Sequence, residues 1–203
     1  MFRHKITCLL AVLAFFVGKL NATVFSIDSE HSNISFSIRY LVSNTAGNFN
    51  EFSGEIVFEE RDPLNIQIQA NIQTNSIDTD NTKRDKHLMS EDFFDVEKYP
   101  QIKFSSDKTK LSQDASSSDG SKGDLLLVEG DFSMHGVTKK ITLPVRFLGK
   151  GIHPYKKKDV VGFSAETIIK RSDFGVNNWT DKAGVLSDEV EVRLTIQAVQ
   201  VSD

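Results

Sequence analysis

Arg84, Asp85 and His87 put a guanidinium, a carboxylate and an imidazole within four positions. A carboxylate near an imidazole can hold or relay a proton, and a guanidinium with an imidazole can grip an anionic head group. Acid–base work on a substrate also needs a nucleophile, a metal or an oxyanion site, and the sequence carries none of these in a recognisable form. No serine sits in a Gly-x-Ser-x-Gly elbow, and no glycine-rich phosphate loop leads from a strand into a helix. His31, His87, His135 and His153 stand at neither helical nor strand spacing from one another, so no metal signature follows. Asp173-Phe174-Gly175 spells a kinase metal motif, but the other kinase motifs are missing. The segment from Arg171 reads instead as a strand end entering a turn, with Asp173 accepting backbone hydrogen bonds and Gly175 supplying a special backbone angle. The chemistry therefore points to binding, with no catalytic residue and no cofactor assigned. An enzyme that uses Asp85 and His87 as acid and base on a lipid-like substrate is the weaker alternative.

These three residues lie on the stretch Asn81 to Pro100, which breaks the pattern of the rest of the chain. Lys83, Arg84, Lys86, Leu88 and Met89 favour a helix, Ser90 with Glu91 and Asp92 suggests a second N-terminal cap, and Pro100 ends the passage. With Leu88, Phe93 and Phe94 as its apolar residues, the stretch reads as a helical lid or plug. Elsewhere apolar and polar residues alternate with the period of a strand that has one face inward. Ile34, Phe36, Ile38 and Tyr40 share one face of Asn33 to Tyr40. Gly47 to Phe58 follows, with the off-period Phe49 and Phe52 around Gly54 suggesting a bulge. Leu64, Ile66, Ile68, Ala70 and Ile72 share a face of Leu64 to Gln73. Further strands are expected at Gln101 to Leu111, Leu125 to Met134, Lys140 to Leu148, Val160 to Ile169 and Glu189 to Val201. About eight strands without a βαβ rhythm imply an all-β antiparallel sheet, either an eight-stranded up-and-down barrel with a short helical insert or a two-sheet sandwich. Ser112 to Asp124, rich in serine, aspartate and glycine, reads as a hairpin loop without assigned function.

Residues 1–22 combine Arg3 and Lys5, an apolar run from Ile6 to Val17 and a small residue at Ala22, which reads as a signal peptide. An uncleaved anchor is the rival, but the run is short and Gly18 and Lys19 interrupt it. The domain is then 23–203 in a periplasmic or secreted protein with no stable membrane anchor. Cys8 goes with the leader, so neither disulfides nor thiol chemistry remain. The leader also holds three of the 24 basic residues and none of the 28 acids, leaving a net charge of −7 that argues against nucleic acid as a partner. Of the 15 phenylalanines, all but Phe2, Phe15 and Phe16 remain. Phe36, Phe104, Phe132, Phe147 and Phe163 fall on the apolar faces of expected strands, which gives either a packed core or a lined cavity for an apolar ligand.

Several short motifs then resemble a known family. Asp28 with His31-Ser32 and Phe36 is followed by Gly47-Asn48-Phe49 and Phe52-Ser53-Gly54. Ser76-Ile77-Asp78-Thr79 leads to Arg84-Asp85-Lys86-His87-Leu88, Phe93-Phe94-Asp95 and Tyr99-Pro100. His135-Gly136-Val137-Thr138-Lys139 and Arg171-Ser172-Asp173-Phe174-Gly175 complete the set. From Phe25 to Val199 this is similar to the YceI-like proteins, described as polyisoprenoid-binding and lipocalin-like. The resemblance implies an extended eight-stranded barrel whose pore takes an isoprenoid or another long amphiphilic lipid, without catalysis. Tyr40 departs from the histidine that many members carry there. Ile34, Phe36, Ile38, Tyr40, Phe94, Phe104, Phe132, Phe147 and Phe163 are then the candidate wall of the ligand site, and Arg84, Asp85 and His87 its polar end. An extracellular interaction or stress protein with a filled core is the alternative, and a homodimer is left open.

Overall fold

The computed structural model describes residues 22–112, 125–176 and 185–201. Residues 1–21, nearly all of the expected signal peptide, and nearly all of the expected Ser112 to Asp124 loop lie outside them. Eleven strands form one antiparallel sheet: β1 (Thr23–Ile27), β2 (Asn33–Tyr40), β3 (Ser43–Phe49), β4 (Phe52–Phe58), β5 (Gln67–Gln73), β6 (Ile77–Asp78), β7 (Gln101–Leu111), β8 (Leu125–Met134), β9 (Val137–Ile152), β10 (Asp159–Lys170) and β11 (Leu186–Gln200). Six of them are halves of three interrupted staves. β1 and β2 both pair with β11, β3 and β4 pair with β2 and β1, and β5 and β6 pair with β4 and β3. The result is an eight-stave up-and-down barrel, closed where Phe25, Ser26 and Ile27 meet Gln200, Val199 and Ala198. That ladder decides for the barrel over the sandwich.

The interruptions have local causes. Between β1 and β2, Ser29–His31 forms a single turn; the Ser32 hydroxyl donates to the Asp28 carbonyl at 2.6 Å and accepts from Gln197 N at 2.9 Å. A side-chain oxygen thus replaces a ladder bond where the strand steps aside. The break in the second stave falls at Asn50-Glu51, not at Gly54, which stays in register opposite Ala70. Gly47 is required by close approach: a Cβ there would lie 2.5 Å from Phe36 Cζ and 2.8 Å from the Asp78 carbonyl.

Two packed clusters line the barrel. Phe25, Ile56, Phe58, Leu126, Val128, Val161 and Phe163 close one end. Toward the other, Ile34, Phe49, Ile77, Ile102, Met134, Ile169, Phe174 and Val176 form a second group around Phe93. Here the wall is looser. β9 and β10 pair only from Val145 to Ile152 and from Asp159 to Ala165, and β3 from Ser43 to Gly47 has β2 on one side and no strand on the other among the described residues.

Two irregular segments cover those openings. The turn Arg171–Phe174 buries Phe174 against Phe132, with ring centroids 5.2 Å apart, and ends on Gly175 at φ 74°. The expected special angle at Gly175 is present. Among the described residues, however, Asp173 accepts no backbone bond; it pairs with Lys139 at 2.6 Å, and Asp188 takes the Ser172 amide and hydroxyl. The second segment is the insert. Its helix, α1, spans Thr82–Met89 only, with the Asn81 side chain accepting from Arg84 N at 3.0 Å. Ser90 starts no second helix, because the chain turns so that Phe93 is 6% exposed and Leu88, Met89 and Phe94 pack on the same cluster. Burying four apolar side chains outweighs the helix propensity of a short acidic turn.

Candidate functional site

Inside the barrel lies a cavity of about 600 Å³, within the size range of small-molecule sites. Its wall follows the period of two around the sheet: Ile34, Phe36, Ile38 and Tyr40 from β2, Ile68, Ala70 and Ile72 from β5, Ile102 and Phe104 from β7, Phe132 and Met134 from β8, and Val190, Val192, Leu194 and Ile196 from β11. Phe163 and Phe94 also line it, as do Phe49 and Phe52 of the bent second stave. Side chains of that length on a closed eight-stave barrel leave room for a ligand because the barrel interior is wider than two facing rows of aliphatics.

Phe147, a sequence candidate, is not on this wall. It lies in the closed end, packed on Phe58 at 4.9 Å and Phe163 at 5.5 Å between ring centroids. The off-period break between Phe49 and Phe52 hid those two residues from a strand-face reading, although both letters were visible.

The polar end of the cavity comes from α1. Asn81, Lys83, Arg84 and His87 line it, together with Thr79. Thr79, 4% exposed, is the hub: its hydroxyl accepts from Arg84 Nε at 2.7 Å and donates to Asp85 Oδ1, its carbonyl accepts from Arg84 Nη2 at 2.6 Å, and its amide donates to Asp85 at 2.9 Å. Asp85 is therefore turned away from the cavity, a correction to its candidacy: the carboxylate is engaged in fixing the first turn of α1. The same bonds hold the Arg84 guanidinium at the cavity with Nη1 free of hydrogen bonds among the described residues. His87 stands edge-on to Phe93, 5.0 Å between ring centroids, and donates from Nε2 to Asp92 at 3.2 Å. Asp85 and His87 thus face different partners and form no acid–base pair.

Arg171 is a cavity residue that sequence reasoning placed in a structural turn. It is 4% exposed on the cavity wall, donating from Nε to the Ser187 carbonyl at 2.9 Å and from Nη1 to the Val176 carbonyl at 3.0 Å. Burial lowers its pKa from the ordinary arginine value, and the Asp188 charge opposes that. Asp188 is itself held below the usual carboxylate range: burial raises it, but bonds from the Ser172 hydroxyl and amide and the charges of Arg171 and Lys170 outweigh that. Asp28, Glu30 and His31 gather ligand atoms within 4.8 Å of one another, but Asp28 already accepts from His31, the Glu30 amide and Gln197, which makes the group a clasp between β1 and β11.

A closed antiparallel barrel around an apolar cavity, with a cationic helix at its open end, defines the lipocalin-like class of ligand-holding barrels. The sequence profile of the YceI-like domain matches residues 25–198, and the chain belongs to that family. Protein YceI of Salmonella arizonae is 37% identical over 194 residues, covering 94% of each chain. Among solved structures, BcnA of Burkholderia cenocepacia superposes with a TM-score of 0.72 at 23% identity, over 84% of this chain and 98% of that one. A polyisoprenoid binding domain from Saccharophagus degradans, implicated in plant cell wall breakdown, gives 0.63 at 18% identity over 88% and 99%.

Proposed function

We propose that this protein is an exported carrier or scavenger that holds one long-chain amphiphile, such as a polyisoprenoid or fatty-acid derivative, with the tail in the barrel and the head at Lys83, Arg84 and His87. The observation that carries the reading is the 600 Å³ apolar cavity ending on those polar side chains. At about 30 Å³ per water-sized group it has room for roughly 20 such groups. Burying ten methylenes at about 0.8 kcal/mol each gives roughly 8 kcal/mol before the cost of association, enough for micromolar binding or better. The Saccharophagus domain of the same fold, described as polyisoprenoid-binding, supports the ligand class. Export to the periplasm or beyond rests on the residue pattern of 1–22. Binding, not turnover, is the chemistry of this reading: Thr79 holds the Asp85 carboxylate, and Asp85 and His87 bond to different partners among the described residues. Organic extraction of the purified protein followed by mass spectrometry tests this. A single class of long-chain amphiphile near one per protein is expected, reduced in an Arg84→Ala/His87→Ala variant that keeps its fold. A protein that yields no amphiphile and takes up none when offered would favour the filled-core alternative.

A further inference from the structure

The turn joining β2 to β3 has two residues, Leu41 and Val42, between the paired Tyr40 and Ser43. Leu41 takes φ 53°, a left-handed conformation that hairpins of this length ordinarily give to glycine, asparagine or aspartate. Val42 is 101% exposed, Leu41 48% and Tyr40 38%. Three consecutive large apolar side chains thus stand in water at a tip where folding would be served better by polar ones. Tyr40 also lines the cavity, so the apolar surface of the tip runs on into the cavity mouth.

The cations at this end add a second observation. On the barrel wall, Lys108 and Lys110 pair with Glu129, Lys140 with Asp107 and Asp131, and Lys150 with Asp159. Arg39, beside the tip, donates to the Leu41 carbonyl at 3.1 Å, and Lys83 lines the mouth; neither has a carboxylate partner among the described residues. A protruding apolar tip flanked by unneutralised cations fits the interface of an anionic bilayer, where aliphatic side chains enter the acyl boundary, tyrosine sits at head-group depth and cations meet phosphate. No described helix is long and apolar enough to cross a membrane.

We infer that the Tyr40-Leu41-Val42 tip docks the barrel on an anionic phospholipid surface with the cavity mouth facing the lipid. The docking explains how an insoluble tail would reach the cavity, and only that use of it rests on the amphiphile-binding reading. The test is flotation of the purified protein with vesicles of phosphatidylethanolamine and phosphatidylglycerol, against vesicles of phosphatidylcholine alone, at low and raised salt. The wild type should float with the anionic vesicles, less so at raised salt, and Leu41→Asn/Val42→Asp should bind about tenfold more weakly or worse. Asparagine suits the backbone at position 41, so the thermal melt should not fall; Val42→Asp alone serves if the double variant does not fold. Titration with decyl phosphate in vesicle-free buffer separates the two readings. Equal decyl phosphate binding with lost flotation supports the docking. Tip-dependent flotation without decyl phosphate binding keeps the docking and removes the amphiphile reading. Equal flotation of both proteins overturns the docking, as does a wild type that does not float, or a tip variant that only converts a dimer to a monomer.

Discussion

Several of the letters by which this sequence resembles its family turn out to be fasteners. Asp28, His31 and Ser32 tie the first stave to β11; Thr79 and Asp85 set α1; His135 donates from Nδ1 to the Phe174 carbonyl at 3.2 Å and packs at a tilt against Tyr99. Ser172 and Asp188 close the same side. A motif of polar residues reads equally as a site or as a clasp until the partners are known, and those partners lie over a hundred positions apart for Ser32 and Gln197. The Asp188 clasp has a pH signature. Its folded pKa is depressed, so its stabilisation is fully present above the unfolded value of about 4 and is lost as pH falls through the lower folded value. Asp188→Asn should therefore cost about 1 kcal/mol of unfolding free energy at neutral pH, a gap that closes in acid; denaturant unfolding across pH measures it. Phe104 and Phe147 looked equivalent as strand-face aromatics, yet only Phe104 meets the cavity. Phe104→Trp should weaken amphiphile binding with little loss of stability, whereas Phe147→Trp should overpack its ring cluster and cost about 1–3 kcal/mol, as paired affinity and unfolding measurements would report.

Strands were legible because the period of two is imposed by one buried face, and it holds from Ile34 to Tyr40 and from Val190 to Ala198. What the alternation does not carry is where a stave steps aside. The missed β1 depends on pairing with β11 and β4, and the break at Asn50-Glu51 on β3 pairing with β2 while β4 pairs with β1, which local patterning does not encode. The insert shows the same limit from the other side. Its helix formers marked α1, but the end of the helix at Met89 is dictated by Phe93 and Phe94 entering the barrel. If α1 is the lid at the ligand's polar end, loosening its first turn should change exchange more than stability. Asn81→Ala removes the capping bond to Arg84 N and should cost about 1 kcal/mol. Ligand release by stopped-flow displacement should quicken while the melting temperature drops by only a few degrees. Unchanged release would mean that α1 is a fixed wall.

At the scale of the whole molecule, the two ends of the barrel do different work. One is packed with Phe25, Phe58, Phe163 and their neighbours; the other is an incomplete wall patched by the insert and by the turn at Phe174. Short strand pairing at the second end is what leaves space, since β9 and β10 separate beyond Val145 and Ala165. An antiparallel barrel could be expected from the strand count and the lack of crossover helices, but a filled and a hollow barrel share the same alternation. The difference lies in how far the staves diverge, and that is a tertiary quantity. A hollow interior makes a quantitative demand on affinity. Titration calorimetry of the purified protein with a homologous series of alkyl or isoprenyl phosphates tests it most directly. One site per chain is expected, with a Kd that falls about fourfold per added methylene until the cavity is filled and then levels off. Absence of saturable binding, or an affinity indifferent to chain length, would contradict it.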